Sequence, residues 1–516
     1  MNKDTEIDMK EVELRELDPE KQPMTADGQA AGGEKNGTVK VKVPDDGVAF
    51  TGLSKEELME VAGTPGWVRT RWVLLVLFWL GWVGMLAGAI AIIVQAPRCK
   101  PIPDMNWWNE GPLYQISDLV AFSDGMEGVE AKLDTMNQLK VKGLVLGPLH
   151  TVQPDQPNTL DLQAMNPTQG KEKQLVAVLE KAHKKGMSVV LDLTPNYPAA
   201  APWFSTSDTG DVMEKLQAAA KHWLSLGIDG IKVPDLSVAS NSLEWSKLQD
   251  VVQGNHTEGT KKRVLMGVTV GASAAEVSQL VNISGVDLVL SDLLSSKNGG
   301  VERIQAMDTL HPQQRSLAWG LGAVQQDQLS RLANTPALLR LYQLLLFTMP
   351  GTPVFTYGDE IGLQAAPGEK HPKMVWDIEK EPAEGEAVDA AAEAERKEQV
   401  AVRKWFKSLS DLRGKERSLL HGDYYPLYSS ASSLAFLRLW DQSDRYITAV
   451  NWGAAPETLK LSLAPTEGVE LPETATVKLS AGTNSTSDAT EDSTVSLDKI
   501  TLGPGQAILL KFPYTG

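Results

Sequence analysis

Trp72 to Val94 reads WVLLVLFWLGWVGMLAGAIAIIV, 23 consecutive residues without one ionisable group. As a helix rising about 1.5 Å per residue it extends roughly 34 Å, enough to cross a hydrocarbon core of about 30 Å. A core helix of a soluble protein carries polar residues along its outer face, and this run carries none on any face. It is therefore expected to span a membrane as a single transmembrane helix. Every other feature then belongs to one side of that membrane or the other.

Several weak signals choose the sides. The first fifty residues are polar and charged, so they lack the apolar stretch of a cleaved secretory signal, and the run reads as an uncleaved signal-anchor. Arg69 and Arg71 precede it and Arg98 and Lys100 follow it, so counting positive charges does not decide. The glycosylation sequons Asn255-His-Thr257, Asn282-Ile-Ser284 and Asn484-Ser-Thr486 all follow the run, against Asn36-Gly-Thr38 before it. That distribution favours a type II protein with a cytosolic N-terminus. Net charge is −17, which argues against a nucleic-acid partner. The chain has one cysteine, Cys99, just past the run. An ectodomain in an oxidising compartment then has no internal disulfide, and a lone thiol beside the bilayer points to an intermolecular bridge.

Residues 1–71 form the expected cytosolic tail, too poor in large apolar groups over residues 1–50 to order itself. Near its end Ser54 and Glu57 fit a capping box, Leu53 and Leu58 fit a hydrophobic staple, and Gly63-Thr-Pro65-Gly66 ends the short helix. Residues 72–94 are the membrane helix and 95–105 a neck containing Cys99. The roughly 420 residues beyond the run suffice for a barrel and a smaller module. GLVLGPL (143–149), MSVVLDL (187–193), IDGIKV (228–233), RVLMGVTV (263–270) and VDLVLSD (286–292) read as buried parallel strands. Amphipathic helices such as 172–185 and 212–226 alternate with them, which predicts a (β/α)8 TIM barrel or a doubly wound sheet over residues 106–414. The acidic, Ala-rich stretch 379–398 reads as a solvated loop or an exposed helix. Over residues 415–516 short alternating runs such as LAFLRLW, RYITAVNW and AILLKF predict an antiparallel β-sandwich. The fold class is thus α/β, with the barrel between the membrane helix and the sandwich.

From residue 106 to the C-terminus the chain resembles the α-amylase-type glycoside hydrolases. Trp107-Trp108 with GPLYQI resembles their first strand, and residues 122–150 the stretch into their second. KKGMSVVLDLTPNY (184–197) resembles their Asp-x-x-x-Asn-His motif, and MPGTPVFTYGDEIGL (349–363) the segment that closes their barrel. The resemblance implies a double-displacement hydrolysis that needs a carboxylate nucleophile and a carboxyl acid/base about 5 Å apart. The nucleophile belongs to a Gly-x-Arg-x-Asp motif, where this chain has Gly230-Ile-Lys232-Val-Pro234. The neighbouring Asp235 is one place along and points elsewhere. The acid should follow the glycine of strand five, where Val268 follows Gly267. The third carboxylate belongs to an Asn-His-Asp triplet that LAWGLGAVQQD (317–327) lacks. Asp192 and Asn196 survive, with Tyr197 in place of the histidine; they are expected to tie barrel loops together. Residues 198–211 leave no room for the excursion domain many family members insert there. No histidine has zinc spacing, so neither a metal nor a cofactor is expected, and the ectodomain is expected not to be an enzyme.

A degenerate hydrolase on a membrane anchor with one juxtamembrane cysteine resembles the heavy chains of the heteromeric amino-acid transporters. That resemblance implies that Cys99 bridges to a multispanning light chain, which the heavy chain stabilises and delivers to the plasma membrane. It also implies association with β integrins. Gly81, Gly84 and Gly88 share one face of the membrane helix, where small residues let a second helix approach closely. Two other readings fit the residues: a membrane-anchored α-glucosidase with a rearranged site using Asp235, and a stand-alone adhesion receptor.

Overall fold

The computed structural model describes residues 54–96, 99–197, 199–204, 209–254, 261–294, 299–324, 327–380, 389–464, 469–482 and 492–514. It divides into two units, Met1–Pro97 and Arg98–Gly516.

In the first unit a short helix, Lys55–Ala62, starts at the capping box: Ser54 Oγ accepts from Glu57 N–H, and Ser54 N–H donates to Glu57 Oε2 at 3.0 Å. Leu53, the other half of the expected staple, lies outside the described residues. The long helix that follows runs Pro65–Gln95, 31 residues, with none of them buried within the chain. It is long and apolar enough to cross a membrane. It begins seven residues before the apolar run because Pro65 sits in its first turn, where a fixed φ suits the helix and no N–H is needed. Arg69 and Arg71 therefore ride on the helix itself.

The second unit opens with a closed barrel of eight parallel strands: Leu113–Ile116, Gly143–Leu146, Ser188–Asp192, Gly230–Val233, Val264–Thr269, Leu288–Ser291, Leu317–Trp319 and Thr352–Thr356. Each pairs with its sequence neighbour, and the first closes on the last through Leu113 opposite Val354. All residues of the observed strands within the five sequence-predicted runs are buried, because helices cover the outside and side chains fill the inside. The interior holds Val145, Val190, Met266, Leu288, Leu290 and Ala318, a packed core rather than a pore. Gly230 is required at the start of strand four, since a Cβ there would lie 2.4 Å from the Val264 carbonyl oxygen. After strand two the chain makes a small hairpin, His150–Thr151 against Asp161–Met165. After strand three it reaches the next helix, Thr209–Ser225, without a further strand among the described residues.

Strands seven and eight flank an apolar helix, Pro336–Thr348, ten of whose 13 residues are buried. Thr335 caps its start through Oγ1, which accepts from Leu338 N–H. At its other end the free carbonyls meet two buried arginines. Arg413 donates through NH1 to Phe347 O at 2.6 Å and Met349 O at 3.0 Å, and through NH2 to Gly351 O. Arg438 donates to Thr348 O at 2.8 Å and Gly422 O at 2.9 Å. Arg413 comes from the helix Ala390–Lys415 and Arg438 from a strand of the C-terminal sheet. The acidic stretch predicted as loop or exposed helix is in part the start of Ala390–Lys415. Its first turns are exposed, while Val402, Phe406 and Leu409 are buried; residues 381–388 lie outside the described residues.

The C-terminal layer is a six-stranded antiparallel sheet in the order Asp423–Ser429, Ser433–Leu439, Arg445–Asn451, Gln506–Phe512, Thr474–Ala481, Thr494–Ser496. Glu457–Leu459 and Ile500–Leu502 form a two-stranded sheet. Leu434, Phe436, Tyr446, Val450 and Leu509 join the large core shared with the barrel. Alternate residues Ala435, Leu437, Ile447, Ala449 and Leu510 pack with Leu459, Ile500 and Leu502 of the small sheet. The sandwich is thus lopsided, one full layer against a two-stranded one.

Candidate functional site

The C-terminal ends of parallel barrel strands are where catalytic side chains gather in this architecture. Here Asp192 ends strand three, fully buried, with Oδ2 2.8 Å from the Lys232 ammonium. Its Oδ1 accepts from Thr194 N–H at 2.9 Å and from Thr194 Oγ1 at 2.5 Å. Lys232, on strand four and 2% exposed, also donates to Gln115 Oε1 of strand one at 3.0 Å. Gln115 donates in turn to Ala323 O at 3.0 Å. One polar chain thus crosses the barrel from strand three to the segment after strand seven. The sequence reading singled out Asp192 but not Lys232 or Gln115. A lysine inside the apolar run IDGIKV was the available signal, because a charge in a buried strand needs a partner.

Asn196 is buried and holds two loops together. Its Nδ2 donates to Asp155 Oδ1 at 3.0 Å and Ala201 O at 2.9 Å, and its Oδ1 accepts from Asp155 N–H at 3.1 Å. Tyr197 is half-buried, donates to His150 O at 3.1 Å and packs edge-on against the His150 ring. Burial pushes the Tyr197 phenol up and the His150 imidazole down. Pro234 follows strand four and is buried; its carbonyl accepts from the Trp203 indole at 3.1 Å. Asp235 lies in the left-handed region at φ 39°, and its Oδ1 accepts from Ser237 Oγ at 2.6 Å. Val268, 5% exposed, belongs to the apolar barrel interior with Ala323 and Val324.

Two further carboxyls, Asp359 and Glu360, follow strand eight and are buried. Burial raises both above the usual carboxylate range. Asp359 accepts from Leu329 N–H at 2.6 Å and Thr356 N–H at 2.8 Å, and Glu360 accepts from Tyr114 OH at 2.8 Å. Their segment, MPGTPVFTYGDEIGL, resembles the one that closes the hydrolase barrel, and no motif in it gives them a role. Each carboxyl at this end of the barrel binds its own chain, so the arrangement braces loops. Among the described residues no group of three or more His, Cys, Asp or Glu is placed to hold a metal ion.

Cys99 is exposed and unbridged. The next residue is fixed: Lys100 N–H donates to Asp441 Oδ2 at 2.9 Å, and its ammonium lies 3.6 Å from Asp423 and 4.6 Å from the centre of the Trp440 ring. Lys100 to Met105 form one wall of a cavity of about 910 Å³ whose other walls include Arg315, Arg413 and His421. Burial, with Arg315 and Arg417 nearby, pushes the His421 imidazole down.

Of the three sequons, Asn282 is exposed at the end of the helix Ala274–Ile283, with Oδ1 accepting from Gln313 Nε2 at 2.9 Å. Asn255 and Asn484 lie outside the described residues. On the long helix, a Cβ added at Gly81, Gly84 or Gly88 would meet nothing within 4 Å.

A family model described as Solute carrier family 3 member 2 N-terminus matches residues 38–114, and one described as Alpha amylase, catalytic domain, matches residues 117–224. The mouse protein named Amino acid transporter heavy chain SLC3A2 is 43% identical over 535 residues, covering 100% of both chains. Its rat counterpart is 43% identical over 534 residues with the same coverage. The human Amino acid transporter heavy chain SLC3A1 is 22% identical, covering 61% of this chain and 62% of that one. Among solved structures, the α-amylase of Geobacillus thermoleovorans superimposes with a TM-score of 0.55 at 16% identity, over 80% of this chain and 100% of that one. The trehalulose synthase MutB of Pseudomonas mesoacidophila MX-45 gives 0.58 at 16% identity, over 79% and 100%. These two likenesses establish the fold.

The buried Lys232–Asp192 pair yields a stability prediction. Removing one partner strands a buried charge, so Lys232→Met should destabilise the second unit by about 3–5 kcal/mol in urea unfolding. Adding Asp192→Leu should recover most of that loss. A double variant no more stable than Lys232→Met would mean that Asp192 is not held by this lysine.

Proposed function

Because the chain belongs to the amino acid transporter heavy chains of solute carrier family 3, we propose that it is the non-catalytic, single-pass subunit of an amino-acid transporter, disulfide-bonded through Cys99 to a multispanning light chain. Cys99 carries the reading. It is the one cysteine in 516 residues, it is exposed, and it follows the membrane-length helix by four residues. The light chain carries the amino acids, and this chain stabilises it and brings it to the plasma membrane. The N-terminus is cytosolic, and the ectodomain bears glycans at Asn255, Asn282 and Asn484. The same kinship supports association with β integrins through the membrane helix and the segment before it.

The ectodomain is not an enzyme in this reading. Pro234 and Val268 stand where the hydrolase resemblance puts a nucleophile and an acid, and neither side chain transfers a proton. The surviving Asp192 is neutralised by Lys232. Asp235, the alternative nucleophile, sits in a left-handed turn and is engaged by Ser237. Within the membrane, the face of Gly81, Gly84 and Gly88 packs on the light chain. In lipid, helix association depends on close backbone approach, and this chain's own packing leaves the space above each glycine open.

On a non-reducing gel of cells producing both chains, wild type should run as a high-mass complex that reductant splits. Cys99→Ser should lose that band while some light chain still co-purifies; persistence of the band would refute the assignment. Purified protein should turn over no aryl α-glucoside above background, and turnover abolished by Asp235→Asn would restore the glucosidase reading. In a Cys99→Ser background, Gly84→Leu should reduce surface delivery of the light chain at least twofold, and Val83→Leu on another face should not. Equal delivery by the two variants would make the glycines ordinary membrane-helix residues.

A further inference from the structure

Three groups meet the neck at one edge of the C-terminal sheet. Asp423 opens the first strand of that sheet and is paired in register with Leu439, so Asp423, Trp440 and Asp441 converge where adjacent strands end and begin. Asp441 holds a left-handed φ of 45°, which turns the chain directly after Trp440. Trp440 is 5% exposed, pinned by its N–H to Ser418 Oγ at 3.1 Å and packed against the His421 ring at 5.5 Å. Lys100 engages all three: its backbone N–H binds Asp441, its ammonium lies beside Asp423, and that ammonium stands over the indole face. A cation over a tryptophan face and an ion pair at the surface are each weak. Three such points on one residue nevertheless fix both its backbone and its side chain.

We propose that Lys100 is a positioning residue for the interchain disulfide: its clamp on Asp423, Trp440 and Asp441 holds the neck against the sheet edge and so presents the adjacent Cys99 thiol at a fixed place. The inference rests on the reading of Cys99 as the bridging thiol. Disulfide formation requires two sulfurs to meet within a narrow geometry, with Cα atoms about 4.4–6.8 Å apart. A neck free to swing would sample that geometry rarely. A neck fixed one residue from the sulfur samples it often, provided the partner's cysteine is equally placed.

Because the chain has one cysteine, a nitroxide label can be placed on Cys99 of the full-length protein without other substitutions. In nanodiscs without the light chain, the wild-type spectrum should be dominated by a slow component. Lys100→Ala and Asp441→Gly should each convert most of it to a fast one, the glycine preserving the left-handed turn while removing the carboxylate. Lys511→Ala, which breaks the neighbouring Lys511–Asp444 pair, should change nothing. In pulse-labelled cells with the light chain, Lys100→Ala should lower the bridged fraction at least threefold at equal surface folding, and Lys100→Arg, which keeps the cation over the indole, should restore it. Unchanged label mobility, or a bridged fraction equal to wild type, would overturn the inference while leaving the disulfide reading intact. No bridged species in the wild type would overturn the disulfide reading and the inference with it.

Discussion

The second unit depends on how the carbonyl end of the helix Pro336–Thr348 is satisfied. A helix ends with carbonyls lacking partners and with the negative pole of its dipole, and burying that end in an apolar core is costly. Two cations answer it. Arg413 and Arg438 donate to the carbonyl oxygens of residues 347–349, 351 and 422. Burial pushes the Arg413 guanidinium down to about 10, and burial with Arg413 close by lowers Arg438 well below its ordinary value, so bringing two cations into this apolar junction is costly. Since one arginine belongs to the helix after the barrel and the other to the sheet, their shared target joins three parts of the chain. Arg413 and Gly351 also line the cavity that Lys100 borders.

The barrel mouth commits its polar side chains to one another. The strands still deliver side chains to one end, and those side chains still form hydrogen bonds there. They bond to each other: Asp192 to Lys232, Lys232 to Gln115, Asn196 to Asp155. A site that must bind and release substrate keeps polar groups unsatisfied and waiting, at the expense of stability. Here those groups are closed into a brace, and apolar Val268 occupies the interior beside them.

The barrel strands were legible because a parallel strand covered on both sides is apolar throughout, as GLVLG and MSVVLDL are. The C-terminal strands were legible in place but not in layering. Every residue of Ser433–Leu439 and Arg445–Asn451 is buried, so the period of two that separates the faces is hidden. The long helix begins at Pro65, ahead of the apolar run that starts at Trp72, because hydropathy marks apolar length and not where a helix starts. At the mouth, Asp192 and Asn196 could be named from motif spacing, whereas Lys232 and Gln115 are partners only through barrel closure. The Lys100 contacts join residues 341 apart in sequence, and nothing in residues 95–105 announces them. Local pattern reveals which groups are unusual; it does not reveal which of them the fold brings together.

A chain with a single thiol has no wrong intramolecular disulfide to make. Proteins that mature in oxidising compartments commonly pass through mispaired intermediates and need exchange to escape them. The second unit can reach its barrel and sheet by burial and hydrogen bonding alone, with no covalent trap on the way. Folding of the rest then does not wait on the state of its one sulfur. A reductant therefore finds no disulfide inside the molecule to cut, and leaves the barrel and the sheet as they are.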